Sequence, residues 1–196
     1  MNHLPRVATR RCHEQFAVIA LIYGGSGCGK SAVAEQLLAG CTHRATGLYY
    51  IATMQPDSPE AQARIARHRA ERVGRNFTTI ECSVALENLF LPNGSAVLLE
   101  CLGTLLANEM FLPEGSGPCA CEAVMRGLEA LSRQADCLVV VANDVFADGV
   151  AHGLETAEYC RVLAGLNQWL AQRSHVVAEV VCGIPVWLKT SEGWNP

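Results

Sequence analysis

Short apolar runs rich in β-branched residues alternate along the chain with longer segments of helical periodicity. This alternation is typical of a parallel sheet that is covered by helices on both faces. The runs predict seven strands, at residues 16–23, 47–52, 77–80, 96–101, 137–142, 176–182 and 186–189. The longer segments predict five helices, at residues 30–38, 59–72, 102–111, 119–133 and 155–173. The last strand follows a turn predicted at Gly183, Ile184 and Pro185, so we expect it to pair antiparallel at an edge of the sheet.

The strand and helix pattern predicts one domain over residues 16–190, preceded by a loose extension at residues 1–15. A length of 196 residues suits a single domain with a sizeable core. Arg6, Arg10 and Arg11 precede the first apolar run in the manner of a signal peptide, but that run continues into a glycine-rich loop without a cleavage pattern. No apolar stretch approaches the roughly 20 residues of a membrane span.

Composition narrows the class of protein. Half of the residues are hydrophobic and 17% are charged, which indicates a globular chain. A formal net charge of -4 provides no general attraction to nucleic acid or to an anionic membrane. The ten cysteines are scattered through apolar runs, where they are expected to be small buried hydrophobes. Cys119 and Cys121 have no second pair at zinc spacing. We therefore expect a cytoplasmic protein with no nucleic-acid or membrane partner.

A glycine-rich loop between the first predicted strand and the first predicted helix carries the strongest motif. Residues 24–31 match G-x-x-x-x-G-K-[ST], and the order of strand, loop and helix argues against a chance turn. Glycines let backbone N–H groups converge on phosphate oxygens, and the helix N-terminus adds partial positive charge. Lys30 is expected to reach the β- and γ-phosphates, and the Ser31 hydroxyl to ligate Mg²⁺. The predicted nucleotide-binding residues here are Gly24, Gly25, Ser26, Gly27, Cys28, Gly29, Lys30 and Ser31.

Two acidic residues lie at the ends of predicted strands, where ligands bind in open α/β sheets. Glu100 ends a fully apolar run and is expected to face the metal ion beside Ser31. The alternative for Glu100 is a capping or solvated carboxylate. Asn143 and Asp144 end the predicted strand 137–142 in the same way, and Asp144 is a second, weaker acidic candidate.

A strongly basic segment occupies the second predicted helix. Arg64, Arg67, His68 and Arg72 lie near one face at helical spacing. Such a run is usually a solvated charged face. In a net acidic chain, however, these cations could bind phosphates, and a histidine among them could attack an α-phosphate.

Several blocks of sequence resemble the family of bifunctional adenosylcobinamide kinases / adenosylcobinamide-phosphate guanylyltransferases of cobalamin assembly. They occur in the family's order and extend over about residues 19–189. The most specific are the Ala-Thr pair, the Arg-Ile-x-x-His helix and Leu-Leu-Glu-Cys. The matching blocks are Gly24-Gly25, Gly29-Lys30-Ser31, Tyr50-Ile51-Ala52-Thr53, Arg64-Ile65-Ala66-Arg67-His68-Arg69, Glu81, Leu98-Leu99-Glu100-Cys101-Leu102, Asn108, Asn143 and Asn167-Gln168.

This resemblance implies a RecA-like fold, with a mostly parallel sheet and one antiparallel strand, in a homotrimer. It implies phosphorylation of the aminopropanol hydroxyl of adenosylcobinamide by ATP or GTP. A second reaction then transfers GMP from GTP to that phosphate through a GMP–histidine intermediate. His68 matches the guanylylated histidine. The implied guanine-nucleotide contacts are residues 24–31, Ala52, Thr53, Met54, Arg69, Ala70, Glu71, Arg72, Glu81 and Glu100.

The chain departs from the family pattern at three places. Gly27 and Cys28 replace an arginine and a serine of the loop. After Asn143, the family's Glu-Val-Gly is replaced by Asp144-Val145-Phe146. The family's Phe-Arg-Asp is replaced by Tyr159-Cys160-Arg161. These changes predict altered surfaces where the corrinoid would bind and where the kinase reaction would take place. Two other interpretations remain open: a degenerate GTP-binding subunit without full catalysis, and an ordinary small-molecule kinase that forms no covalent nucleotide.

Overall fold

The computed structural model describes residues 17–41, 45–71, 74, 76–145 and 153–191, without the side chains of Arg64, His68 and Glu71. Seven strands in these ranges form one sheet. They are β1 (Val18–Gly24), β2 (Leu48–Ala52), β3 (Thr78–Glu81), β4 (Ser95–Glu100), β5 (Ala135–Asn143), β6 (Val176–Val181) and β7 (Ile184–Lys189). The helices are α1 (Lys30–Cys41), α2 (Pro59–Glu71), α3 (Leu102–Phe111), α4 (Ala120–Gln134) and α5 (Leu154–Arg173), with short 3-10 turns at Leu86–Asn88 and Gly117–Cys119.

The strand order in the sheet is β3-β2-β4-β5-β1-β6-β7. All neighbouring pairs are parallel except β6 and β7, which pair antiparallel at one edge. This arrangement confirms the predicted mostly parallel α/β sheet with one antiparallel edge strand. All seven strands and five helices predicted among the described residues are present.

The hairpin turn differs from the prediction. Ile184 and Pro185 belong to β7, and the turn consists of Cys182 and Gly183. Both residues have positive φ, 51° and 80°, which is the geometry of a tight two-residue hairpin turn. Proline is tolerated in β7 because this strand lies at the edge of the sheet.

Buried side chains cover both faces of the sheet. On one face, Val33, Ala34, Leu37 and Leu38 of α1 pack against alternate strand residues. On the other face, leucines of α3, α4 and α5 pack against the intervening strand residues. Strand side chains point alternately to the two faces, so each central strand contributes to both clusters. The near-continuous apolar runs of β4 and β5 follow from this double coverage.

The carboxyl ends of the six parallel strands, β1 to β6, lie at one edge of the sheet. Residue pairing joins Ala52 with both Glu81 and Glu100, Glu100 with Val141, and Gly24 with Asn143. In parallel α/β sheets this edge is where ligands bind. The fold therefore collects the strand-end residues Gly24, Ala52, Glu81, Glu100 and Asn143 in one place.

Candidate functional site

The glycine-rich loop connects β1 to α1 and packs against the β6–β7 hairpin. At Gly24, where φ is 149°, a Cβ atom would lie 2.6 Å from the carbonyl oxygen of Val180. At Gly29, where φ is 95°, a Cβ atom would lie 3.1 Å from the Cα atom of Gly183. The N–H group of Gly183 also donates a 2.8 Å hydrogen bond to the Cys28 carbonyl. Two glycines of the motif are therefore required by close backbone approach as well as by phosphate binding.

Lys30 is the first residue of α1 and lies inside the loop. Its side chain is 7% exposed, and Nζ donates a 2.6 Å hydrogen bond to the carbonyl oxygen of Gly25. Because the loop folds around it, Lys30 is more buried than its position in a polar loop suggests. The ammonium group is held at the helix N-terminus, where phosphates bind in loops of this kind.

Glu100 lies beside this helix N-terminus, at the end of β4. The Ser31 hydroxyl donates a 2.8 Å hydrogen bond to Oε1 of Glu100. Burial raises the pKa of the Glu100 carboxyl, while the Ser31 hydrogen bond and the charge of Lys30 act in the opposite direction. A hydroxyl and a carboxylate in contact form the oxygen donor set that suits Mg²⁺ together with nucleotide phosphates. The two side chains thus fit the predicted metal position.

A cavity of about 680 Å³ opens between the loop, the strand ends and helix α2. It brings together most of the residues predicted from sequence. From that set, the lining includes Ser26, Gly27, Gly29, Lys30, Ser31, Ala52, Thr53, Met54, Arg69, Glu81 and Glu100. Gly24, Gly25, Cys28 and Ala70 are described but are not among the lining residues. The side chains of His68 and Glu71, and all of Arg72, lie outside the described residues.

Helix α2 forms the cationic wall of the cavity. Arg67 and Arg69 both line it, and Arg69 forms an ion pair with Glu81 at the end of β3. His68 lies between these two arginines along α2. The predicted basic helix therefore borders the same cavity as the phosphate loop, as the phosphate-binding interpretation requires.

Residues 52–54 are fixed by a hydrogen-bond network that the sequence did not predict. Thr53 is buried, and its hydroxyl donates to the carbonyl of Glu100 at 2.9 Å. The Asn108 amide of α3 donates to the carbonyls of Thr53 and Ser83, at 2.8 and 3.0 Å. The network ties the ends of β2 and β4 together. Asn108 is one of the residues that match the family pattern. Its two hydrogen bonds, however, depend on the packing of α3 next to this edge of the sheet.

Asn143 and Asp144 point to different environments. Asn143 lines the cavity, and its Nδ2 atom donates to Sγ of Cys101 at 3.4 Å. Asp144 is not among the lining residues, and its charge contributes, after burial and the effects of Glu179, to raising the pKa of Tyr23. The weaker acidic candidate of the sequence is therefore not brought to the cavity. Strand alternation along β5 could have identified Asn143, because Val139 and Val141 belong to the α1-side core cluster.

A mostly parallel sheet with this loop, its lysine and a carboxylate at a neighbouring strand end defines a P-loop nucleotide-binding protein. The sequence matches the CobU family, described as cobinamide kinase / cobinamide phosphate guanyltransferase, over residues 20–188. The chain therefore belongs to this family. Membership supports a function as a transferase in cobalamin biosynthesis.

One curated relative is the bifunctional adenosylcobalamin biosynthesis protein CobP of Pseudomonas aeruginosa. It is 31% identical over 173 residues, which cover 86% of this chain and 96% of the relative. Two solved structures are similar at 10% identity. The flagellar accessory protein FlaH of Methanocaldococcus jannaschii has a TM-score of 0.47, with 99% of this chain and 91% of that chain covered. A KaiC-like protein of Pyrococcus horikoshii has a TM-score of 0.44, with 90% and 80% covered.

None of the described helices has both the length and the hydropathy that a bilayer-spanning helix needs.

Proposed function

We propose that this protein phosphorylates adenosylcobinamide with ATP or GTP and then transfers GMP from GTP to adenosylcobinamide phosphate. The second reaction proceeds through a covalent GMP–histidine intermediate at His68. The observation that carries this proposal is the single cavity that extends from the phosphate loop to the arginines flanking His68 on α2. One cavity with two cationic ends suits an enzyme that acts on the γ-phosphate in one reaction and on the α-phosphate in another.

The loop end of the cavity suits phosphoryl transfer. Lys30 and the N-terminus of α1 offset negative charge on the β- and γ-phosphates, where charge shifts as the γ-phosphoryl group moves. Ser31 and Glu100 would hold a Mg²⁺ ion that arrives with the nucleotide, and this ion would neutralise further phosphate charge. The carboxylate of Glu100 must be ionised for this function. Burial raises the pKa of this carboxyl, while the Ser31 hydrogen bond and the ammonium of Lys30 favour the ionised form.

The α2 end of the cavity suits guanylyl transfer. A neutral imidazole nitrogen of His68 would attack the α-phosphorus, and the bond to the α,β-bridging oxygen would break with release of pyrophosphate. The phosphate of adenosylcobinamide phosphate would then displace the histidine and take the GMP. Arg67 can offset charge that builds on the α-phosphate during both steps. Arg69, which is paired with Glu81, would define the guanosine side of the cavity.

The test of this proposal is selective labelling. GTP labelled at the α-phosphate should leave an acid-labile, alkali-stable label on the native protein, and γ-labelled GTP should leave none at that position. His68→Ala should abolish the α-label while GTP binding through the loop remains. His175→Gln is the matched control, because His175 precedes β6 at the amino end of the sheet, away from the cavity. Robust α-label on His68→Ala would contradict the assignment of His68. Absence of label with intact γ-transfer would favour an ordinary kinase.

We also propose a homo-oligomer, with three subunits as the resemblance implies. The edge strand β7 supports an oligomer, because Ile184, Val186 and Leu188 are exposed and are spaced to lie on one face. Light scattering of the purified protein would measure the subunit number, and a monomer at micromolar concentration would contradict the proposal.

A further inference from the structure

Asn143 lies at a central position of the sheet, and none of the functions proposed above uses its side chain. Strand β5 lies between β1, which leads into the phosphate loop, and β4, which ends at Glu100. Residue pairing places Val141 beside Glu100 and Asn143 beside Gly24. Strand β5 therefore continues two residues, or about 6–7 Å, beyond Glu100. Its last residue lies between the start of the phosphate loop and the carboxylate.

The side chain of Asn143 is on the face of the sheet that helix α1 covers. Val139 and Val141 belong to the cluster on that face, and strand alternation gives Asn143 the same direction. Asn143 accordingly lines the cavity together with Lys30, Ser31 and Glu100. The phosphate-binding ammonium, the metal-binding oxygens and this carboxamide thus share one end of the cavity.

The local contacts of Asn143 define a small polar corner. Its Nδ2 atom donates to Sγ of Cys101 at 3.4 Å, and Cys101 and Thr104 line the same cavity. With Nδ2 directed to the sulfur, the carboxamide presents Oδ1 as a hydrogen-bond acceptor. An acceptor is what an alcohol O–H group requires. A carboxamide does not titrate near neutral pH, so it can orient an alcohol without taking its proton.

We propose that Asn143 is a catalytic residue of the phosphoryl-transfer reaction, in which its carboxamide binds the acceptor's hydroxyl and aligns it with the γ-phosphorus. The inference deepens the proposed function and rests on its kinase half. The alcohol oxygen forms a bond to the γ-phosphorus, and the bond from that phosphorus to the β,γ-bridging oxygen breaks. The nucleoside diphosphate leaves with the electron pair, and the hydroxyl proton passes to water. Positioning of this kind is the main protein contribution to phosphoryl transfer.

The acceptor subsite is therefore the corner bounded by Asn143, Cys101 and Thr104. Residue pairing places Asn143 beside Gly24 at the start of the phosphate loop, whereas the guanylyl reaction is proposed beside α2. This separation predicts that substitutions of Asn143 lower the rate of γ-phosphoryl transfer and leave guanylyl transfer unchanged.

The experiment compares Asn143→Ala with Asp144→Asn, a neighbouring substitution at a residue that does not line the cavity. Transfer of label from γ-labelled GTP to cobinamide gives kcat and KM, and α-label on the protein reports the histidine step independently. We expect Asn143→Ala to lower kcat for γ-transfer by about 100-fold, with KM for GTP changed by no more than about threefold. The α-label and the thermal unfolding midpoint should stay at native values. Asp144→Asn should retain native γ-transfer.

Each contrary outcome has a distinct meaning. Native kcat in Asn143→Ala would overturn the inference, and so would an equal loss of γ-transfer in Asp144→Asn. A parallel loss of γ-transfer, GTP binding and α-label would instead assign Asn143 to nucleotide binding or folding. A native protein that takes α-label but transfers no γ-phosphate to cobinamide would remove the reaction in which Asn143 acts, while the guanylyl half of the proposed function would stand.

Discussion

The Ser31 hydroxyl donates a 2.8 Å hydrogen bond to Oε1 of Glu100, although 69 positions separate the two residues in the chain. This contact joins the first turn of α1 to the end of β4. It depends on β5, which spaces β1 from β4 so that the loop and the carboxylate meet across one strand. The relationship gives Glu100 a testable chemical function.

Substitution Glu100→Gln keeps the shape of the side chain and removes its charge. Because the amide is a weak ligand for Mg²⁺, we expect Mg²⁺-dependent turnover to fall by more than about tenfold. Initial rates over a Mg²⁺ titration would measure the effect. An unchanged rate and an unchanged metal requirement would show that Glu100 has only a structural function.

The same variant tests how the free energy of unfolding depends on pH. Burial raises the pKa of Glu100 above its ordinary value of 4.5, so the folded state binds the proton more tightly than the unfolded state. The contribution of this group to the free energy of unfolding must therefore fall as pH rises from 4.5 to the raised pKa. Glu100→Gln lacks this decline. Denaturant unfolding at several pH values should show the native protein losing stability relative to the variant as pH increases, and a relative gain would contradict the raised pKa.

Lys30→Ala removes the ammonium group from the phosphate loop. We expect nucleotide turnover to fall by about 100-fold or more, because charge on the transferred phosphoryl group would lose the ammonium group that the loop holds. The fold should survive, since the lost contact is a hydrogen bond to Gly25 and not part of the apolar core. Steady-state kinetics and circular dichroism would measure both effects.

Lys189→Ala is the control for Lys30→Ala. Lys189 is an exposed lysine that donates hydrogen bonds to the carbonyls of Ala171 and Gln172. Its loss should leave turnover at the native value. Near-normal turnover in Lys30→Ala would mean that the loop is not the working site.

Gly24→Ala and Gly25→Ala form a matched pair for the conformation of the loop. A Cβ atom at Gly24 would meet the Val180 carbonyl at 2.6 Å, whereas one at Gly25 would meet no atom within 4 Å. We expect Gly24→Ala to lower the free energy of unfolding by about 1–3 kcal/mol, and Gly25→Ala by less than about 1 kcal/mol. Chemical denaturation would measure the difference. Equal effects of the two substitutions would contradict the packing of the loop against β6.

The Tyr159 hydroxyl donates a 3.1 Å hydrogen bond to the carbonyl of Gly103 in α3. Tyr159→Phe should lower the free energy of unfolding by about 1 kcal/mol at neutral pH. Burial, with smaller contributions from Cys101 and Cys160, raises the pKa of Tyr159 from 10.0 to about 12.

The folded state thus holds the phenolic proton more tightly than the unfolded state. The native protein should lose stability relative to Tyr159→Phe as pH rises from 10.0 to about 12. Unfolding experiments across this range would measure the loss. A constant difference between the two proteins would contradict the buried phenol.

The architecture could be predicted to a large extent because its signals are local. Apolar runs of β-branched residues predicted the strands, and helix α3 has the predicted bounds 102–111. The sequence predicts the hairpin turn at residues 183–185 because proline favours turns, whereas the structure forms it from Cys182 and Gly183. An edge strand accommodates proline at a position where its missing N–H group is not needed, and only strand order identifies the edge.

The candidate site was predictable where a motif places chemistry within a few residues, as in Lys30 and Ser31. Glu100 could be named because a carboxylate ends an apolar strand, but its contact with Ser31 required the strand order. Asn143 and Asp144 are adjacent in the chain, but only Asn143 lines the cavity, because it is the last residue of β5 and continues the alternation that directs Val139 and Val141 to the α1 side.

By itself, then, the sequence determined the local elements, the phosphate loop and the basic helix, since each depends on neighbouring residues and on backbone preferences. Only the tertiary structure decided which distant groups meet: Ser31 with Glu100, Asn108 with Thr53 and Ser83, and Asn143 with Cys101. These contacts depend on strand order and on the packing of α3, which are set by the burial of apolar surface across the whole sheet. The hydrophobic effect that drives this burial has no direction, and no single position of the sequence encodes it.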